Sequence, residues 1–426
     1  MKLFSKRKVN RILIIIFVIM AVTGIESNAQ DWSQWRGQNR DGVVKRSGLN
    51  LDWTTNKPAL LWTFRQAGVG YSAPVVAGNT LYCQGSADGK DFAFALDTKT
   101  GNLKWKKEFG EQFNHDRGNG PRGSITVDGD KLYLVRAGGQ FLCLSAADGI
   151  ILWQKDFKTE FASDLQSNFG FGESPLIDGN LVICTPGGKE GTMAALDKNT
   201  GDLVWRSKEW TDPASYSSVI VADIDGIRQY IQVASKGTAG IAAKDGKLLW
   251  KAEIGGNKTA SATTPIYNDH TVYITSGYNA GCGLVRLTRE GDRFKTDTVY
   301  TNRNMTNHHG GVVLMNGYIY GFSDADWVCQ DLKTGEIVWK ERNNEIGKGS
   351  LLGVNERLIL FGERSGIIAL VAASPDGWKE FGRITIPERT KEVLSGDNML
   401  RTHPIIANGK LYIREHDLLF CFDLQK

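Results

Sequence analysis

Ala195-Leu-Asp-Lys-Asn-Thr-Gly-Asp-Leu-Val-Trp205 decides the fold of this chain. An apolar strand end runs into a polar turn at residues 197–201, and a second short strand follows that ends on an indole. Glycine reaches positive φ at little cost, as tight hairpins often require, so Gly201 marks a turn between antiparallel strands. The pattern recurs at Ala95 (ALDTKTGNLKW), Cys143 (CLSAADGIILW), Gly240 (GIAAKDGKLLW) and Cys329 (CQDLKTGEIVW). Each copy keeps a small residue six positions before the turn glycine and a Trp four after it. The framework positions are Ala95, Gly101 and Trp105; Gly149 and Trp153; Ala195, Gly201 and Trp205; Gly246 and Trp250; Gly335 and Trp339. Recurrence of this form identifies a repeat protein.

Two further strands precede each motif, as in residues 73–83, and eight such pairs can be traced along the chain. Trp62 and Trp339 lie 277 residues apart. With one degenerate copy near Phe294 that distance is six periods of about 46 residues, the spacing of four-stranded propeller blades. A second degenerate copy has Phe381, not Trp, four residues after Gly377. Residues 418–424 read as a third strand lacking a fourth, and residues 60–64 as a fourth lacking a third. Pairing them closes a ring and leaves it no open sheet edge. The expectation is an all-β, eight-bladed β-propeller of four-stranded antiparallel blades, closed by its N-terminal strand.

Lys2, Lys6, Arg7, Lys8 and Arg11 precede an apolar run over residues 12–25, and Ser27-Asn28-Ala29 reads as a small-x-small cleavage site. This is the pattern of a secretory signal. Residues 1–29 are therefore read as a signal peptide, 30–59 as an ordered N-terminal arm and 60–426 as the propeller. The expected location is periplasmic or secreted, without stable membrane insertion once the signal is removed. The full chain has 51 basic and 47 acidic residues, and the signal contains five of the former and one of the latter. The remainder is formally neutral, which gives no electrostatic reason to bind nucleic acid. The six cysteines are scattered with no CxxC or CxxCH, and read as small buried hydrophobes, with disulfides left open.

The motif Ala-x-Asp-x-x-x-Gly-x-x-x-Trp resembles the tryptophan-docking motif of quinoprotein (pyrroloquinoline quinone, PQQ) β-propellers. The mature chain is similar to the secreted PQQ-like repeat family, which includes outer-membrane assembly propellers. Trp35-Arg-Gly-Gln-Asn-Arg-Asp-Gly, Asn307-His-His-Gly-Gly-Val-Val and Gly347-Lys-Gly-Ser-Leu resemble a bacterial subgroup of it. The resemblance implies that each Trp packs between the small motif residue and a glycine of the neighbouring blade. It fixes the fold more firmly than the function.

In such a ring the loops before the innermost strands open on one face: residues 110–123, 159–173, 211–217, 255–263, 301–310, 343–349 and 387–402. Loops on a rigid scaffold commonly carry binding residues. The candidate ligand-binding residues are His115, Arg117, Arg122, Glu173, Tyr216, His308, His309, Arg401 and His403. Adjacent histidines on extended chain point to opposite sides, so His308 and His309 do not read as a metal pair, and no metal site is assigned. Arg117, Arg122 and Arg401, with Arg36 and Arg40, can form an anion-receiving rim. Alternatively they pair with Asp41, Asp116, Glu173 and Asp397. Glu173 and Asp116 are candidates for a general base or a Ca²⁺ ligand, but no catalytic residue is assigned.

Three functions remain open. The favoured one is a monomeric, non-catalytic propeller that binds a protein, peptide or glycan on its loop face, with no cofactor. The second is a PQQ-dependent alcohol or sugar dehydrogenase with Ca²⁺, although the chain has neither an adjacent Cys-Cys pair nor a haem motif. The third is an outer-membrane protein assembly factor.

Overall fold

A computed structural model describes residues 31–392 and 399–426; the signal segment and Asp397 lie outside the described residues. Eight antiparallel sheets form the blades of a ring. Blades 1 to 7 span residues 75–111, 126–156, 176–206, 220–252, 266–302, 312–341 and 349–385. Blade 8 combines residues 405–423 with Leu60–Phe64, and Leu60 pairs with Phe422 and Trp62 with Cys421. The ring therefore closes as the sequence predicts. Arg414, wholly buried, reinforces the seam by donating to the carbonyls of Ser72, Gln84 and Gly68 beside blade 1.

The motif works through three local devices. Asp197 Oδ1 accepts from the amides of Asn199 and Thr200, and Gly201 closes the turn at φ 76° with its N–H on Asp197 O. A bulge then interrupts the outer strand pair, here between Ala195↔Trp205 and Leu196↔Leu203. The same slip occurs in the outer pair of all eight blades. Bulges re-aim side chains, and this one turns the indole toward the next blade. A Cβ added to Gly101, Gly149, Gly201 or Gly246 would meet the ring of Trp62, Trp105, Trp153 or Trp205, respectively, at 2.5–2.9 Å. Those four indoles donate to the carbonyls of Thr98, Ala146, Lys198 and Ala243, all on the next turn.

Three blades depart from this scheme. Trp250 donates to Gln229 of its own blade and sits in a cluster with Phe294 and Leu287. Phe294 is thus a packing partner, and the degenerate docking position belongs to Tyr300. Its ring meets Gly335 and its hydroxyl donates to Leu332 O. In blade 7, Phe381 and Gly382 pack against Trp53 of the arm, which is fully buried and bonds through its N–H to Phe381 O. All six cysteines are buried and free.

The arm fills the channel. Trp32 exchanges both backbone hydrogen bonds with Val76 of blade 1, and Ser33 O accepts from Val127 of blade 2. Arg40 donates to Ser174 O and Pro175 O at blade 3, Trp35 to Thr264 Oγ1 at blade 5 and Arg36 to Val312 O in blade 6. Val43–Val44 adds a parallel fifth strand to blade 7, opposite Gly353 and Val354. Innermost strands present unpaired edges to the channel, and the arm satisfies several of them. Arg36 and Arg40 are therefore buried beneath the rim that the sequence suggested for them, at 4% and 3% exposure. Among the described residues no helix is long and apolar enough to cross a membrane.

Candidate functional site

Above the arm, the loop face encloses a cavity of about 460 Å³. Arg117, Arg122, Tyr216, His308, His309, Arg401 and His403 all line it, together with Trp35, Tyr71, Phe169, Tyr278 and Lys348. Trp35 comes from the arm and meets the His403 ring edge-on at 4.6 Å. The three stretches that carried the subgroup resemblance thus converge here as Trp35, His308-His309 and Lys348. Among the described residues the lining contains no Asp or Glu. A second cavity, of about 560 Å³ beside blades 8 and 1, mixes Arg65 and Lys106 with Asp88, Glu392 and Asp417 and has no such single sign.

Glu173 and His115 do not line the cationic cavity. Glu173 is buried and accepts from Thr185 N at 2.6 Å, Thr185 Oγ1 at 2.7 Å and Gln232 Nε2 at 3.3 Å. Burial raises its pKa to about 7 against the opposing pull of these hydrogen bonds and Arg40. His115 lies against Phe113 and Phe169, and its Nδ1 accepts from Arg117 N at 2.9 Å.

Arg122 and Arg401 are held by their neighbours. Arg122 spends its guanidinium on Phe169 O, Gly120 O and Gly118 O at 2.7–2.9 Å, clamping the loop that carries it. Burial lowers its pKa to about 10, which leaves it charged near neutrality. Arg122 and Arg401 both lie over the Tyr71 ring, 5.4 and 5.6 Å from its centroid. Arg401 also donates to Arg117 O at 3.3 Å.

The remaining wall is a linked set of polar side chains. Lys348 Nζ lies 2.6 Å from His308 Nδ1, and His308 Nε2 lies 2.5 Å from the Tyr278 hydroxyl. Glu363, behind the wall and 1% exposed, holds His309 Nε2 at 3.0 Å and Lys348 Nζ at 3.7 Å. Burial and the neighbouring cations push His308 down to about 3, and burial does the same for His403. Both imidazoles are neutral near pH 7. Burial alone would raise the Glu363 pKa, but His309, Lys348 and Arg401 bring it below the usual carboxylate value.

These residues can be tested against PQQ and Ca²⁺. A flat polycarboxylate suits a wall of cations and aromatic rings. Calcium takes roughly 6–8 oxygen ligands, usually with several carboxylates. Among the described residues the lining offers none, and no group of three or more His, Cys, Asp or Glu side chains could hold a metal. The wall does not fit the calcium half of that pair.

Sequence reasoning missed Trp35, Tyr71, Tyr278, Lys348 and Glu363 as contributors to this site. For two of them a signal existed, because Trp35 and Lys348 lie within the subgroup stretches. Tyr71, Tyr278 and Glu363 carry no local mark and meet the others only when the ring closes.

Residues 95–341 match the PQQ_2 family, described as outer membrane protein assembly factor BamB. A tetrathionate hydrolase from Acidithiobacillus ferrooxidans is 25% identical over 292 residues, covering 63% of this chain and 52% of the hydrolase. The chain thus spans about half the length of that relative. BamB from Yersinia pestis is 22% identical over 386 residues, covering 88% of this chain and 80% of that protein. The crystal structure of BamB from Moraxella catarrhalis aligns with a TM-score of 0.59 at 14% identity, over 86% of this chain and 97% of that one. Quinohemoprotein alcohol dehydrogenase from Comamonas testosteroni aligns with a TM-score of 0.64 at 12% identity, over 92% and 80%. At such identities the structural likeness speaks for the fold alone. The matched segment covers more than half of the sequence, and the chain belongs to the PQQ_2 family of PQQ-like β-propellers.

Proposed function

We propose that this chain is an exported, non-catalytic binding propeller whose loop-face cavity receives an anionic group of a protein, peptide or glycan. One observation carries the reading: Arg117, Arg122, Lys348 and Arg401 line a cavity that has aromatic walls and, among the described residues, no carboxylate. In a partly enclosed site such charges act with less screening than on open surface. The size, about 460 Å³, lies within the range of small-ligand pockets and suits one end or one group of a larger ligand. The relatives named as outer membrane protein assembly factors make a protein ligand reasonable, and residues 1–29 provide the route of export.

The test is direct binding of acidic oligosaccharides and acidic peptides to the mature chain, before and after Arg117→Glu and Arg401→Glu. Charge reversal is expected to abolish binding and the wild-type affinity to fall with salt. Equal binding by wild type and both variants would place the ligand elsewhere.

A further inference from the structure

The wall that holds His308 fixes the direction of a proton as well as a charge. A lysine ammonium has donors and no acceptor, so the 2.6 Å contact from Lys348 Nζ makes His308 Nδ1 the acceptor. In a neutral imidazole the proton then sits on Nε2. That N–H points at the Tyr278 oxygen 2.5 Å away, and the two rings meet edge-on at 88° with centroids 4.5 Å apart. The tyrosine oxygen is occupied as an acceptor, so its own proton must be donated in another direction. Glu363 anchors Lys348 from behind and completes the order of the chain: carboxylate, ammonium, imidazole, phenol.

The backbone fixes the position of Tyr278. With Asn279 it forms the centre of the tight turn closed by Ala280 N–H on Gly277 O, at φ 57° and 63°, between two strands of blade 5. This turn holds a tyrosine that is 46% exposed at the cavity edge. Tyr278, His308 and Lys348 also line a side cavity of about 140 Å³, so they form a wall with space on both faces. A purely structural cluster would bury its hydroxyl, whereas this one presents it beside Arg401 and Arg117.

Resting on the anion-binding reading above, we propose that Tyr278 is the specificity-determining donor of the site. Its hydroxyl, oriented by Lys348 through His308, donates to a ligand carboxylate borne on a ring, which stacks among Trp35, Tyr71 and Phe169. The shared chemistry is a ring-borne carboxylate, from either a sugar acid or a small aromatic acid. His308 and Lys348 act as positioning residues.

Calorimetry on the mature chain provides the test, with trigalacturonate, its methyl ester and 2-naphthoate as probes. Wild type is expected to bind at least one of the two acids, and the ester weakly or not at all; the acid it prefers identifies the source. Tyr278→Phe is expected to weaken acid binding about tenfold or more, the usual cost of losing a hydrogen bond to a charged group, and to leave ester binding unchanged. His308→Phe should act like Tyr278→Phe. His308→Gln should restore much of the affinity, because an amide can accept from Lys348 and donate to Tyr278 as the imidazole does. Full acid affinity in Tyr278→Phe would overturn the proposal while leaving the anion reading intact. So would a wild type that binds an acidic peptide but neither acid. A wild type that binds no anionic probe would overturn both.

Discussion

An added Cβ on Gly246 would lie 2.5 Å from the ring of Trp205, whose N–H donates to Ala243 O of the same turn. Blade 3 is thereby keyed into blade 4 by one side chain and one missing side chain. Gly246 also sits at φ 76°, so Gly246→Ala combines a clash with backbone strain. Trp205→Ala is expected to cost about 3–5 kcal/mol, as for other buried aromatic truncations. Trp378 is only partly buried and meets Trp339 edge-on at 6.1 Å, so Trp378→Ala should cost less than half as much. Equal shifts of the urea midpoint in the two variants would contradict the docking scheme.

Trp53 is fully buried although it belongs to the arm. If the arm is part of the folded core, Trp53→Ala should destabilise by about 3–5 kcal/mol, in one cooperative transition. An early transition at unchanged main stability would show instead that the arm is a detachable accessory.

Arg122 reads from the sequence as a rim charge, yet each of its three guanidinium nitrogens holds a loop carbonyl. Arg122→Ala leaves those acceptors unpaired and should lower the unfolding temperature by several degrees, roughly 1–3 kcal/mol. Arg117→Ala, at an exposed position, should change it little while weakening ligand binding. The reverse ranking would make Arg122 a direct ligand contact and not only a charge in the wall.

The pH profile has two opposing slopes. His308, His403 and His416 fall from 6.5 to about 3 on folding, so between those values the unfolded chain binds more protons and stability drops as pH falls. Glu173 rises from 4.5 to about 7, so the folded chain binds the extra proton and stability drops as pH rises through that window. Each group contributes at most about 1.4 kcal/mol per pH unit. Glu173→Gln should remove the second slope and leave the first, as thermal melts from pH 4 to 8 would reveal. An unchanged profile would mean that Glu173 titrates alike in both states.

With PQQ, Ca²⁺ and an artificial electron acceptor, the purified protein should oxidise no alcohol or aldose, because the described cavity lining lacks the carboxylates that calcium prefers. Turnover that is lost in Glu173→Gln would refute this and the binding reading with it.

The blades were legible because one local motif recurs in five of them, with the turn, bulge and Trp all inside eleven residues. Tyr300 escaped notice because its longer hairpin, Gly281–Glu290 with Arg293–Asn302, moves the docking ring away from the glycine turn. The loop residues of the site were legible as a class, since irregular polar segments precede each inner strand. The channel was not. Nothing in Trp32, Arg36 or Arg40 states that their partners are residues 76, 312 and 174, and a sequence rim became a buried plug. Glu173 misled for a related reason, because its satisfying partner Gln232 comes from the next blade.

The seam joining Leu60–Phe64 to Leu418–Asp423 also sets a timetable for biogenesis. Arg414 reaches Ser72 across 342 positions, so no contact of that kind exists until the 342 residues that follow Ser72 have been made. At about 5–20 residues per second the first-made strand waits some tens of seconds for its partner. Throughout that interval the arm, with Trp32, Trp35 and Trp53, has no finished channel to enter, and the edge at Leu60–Phe64 stands open. A chain of this design is most exposed before blade 8 arrives, and least once the seam has shut.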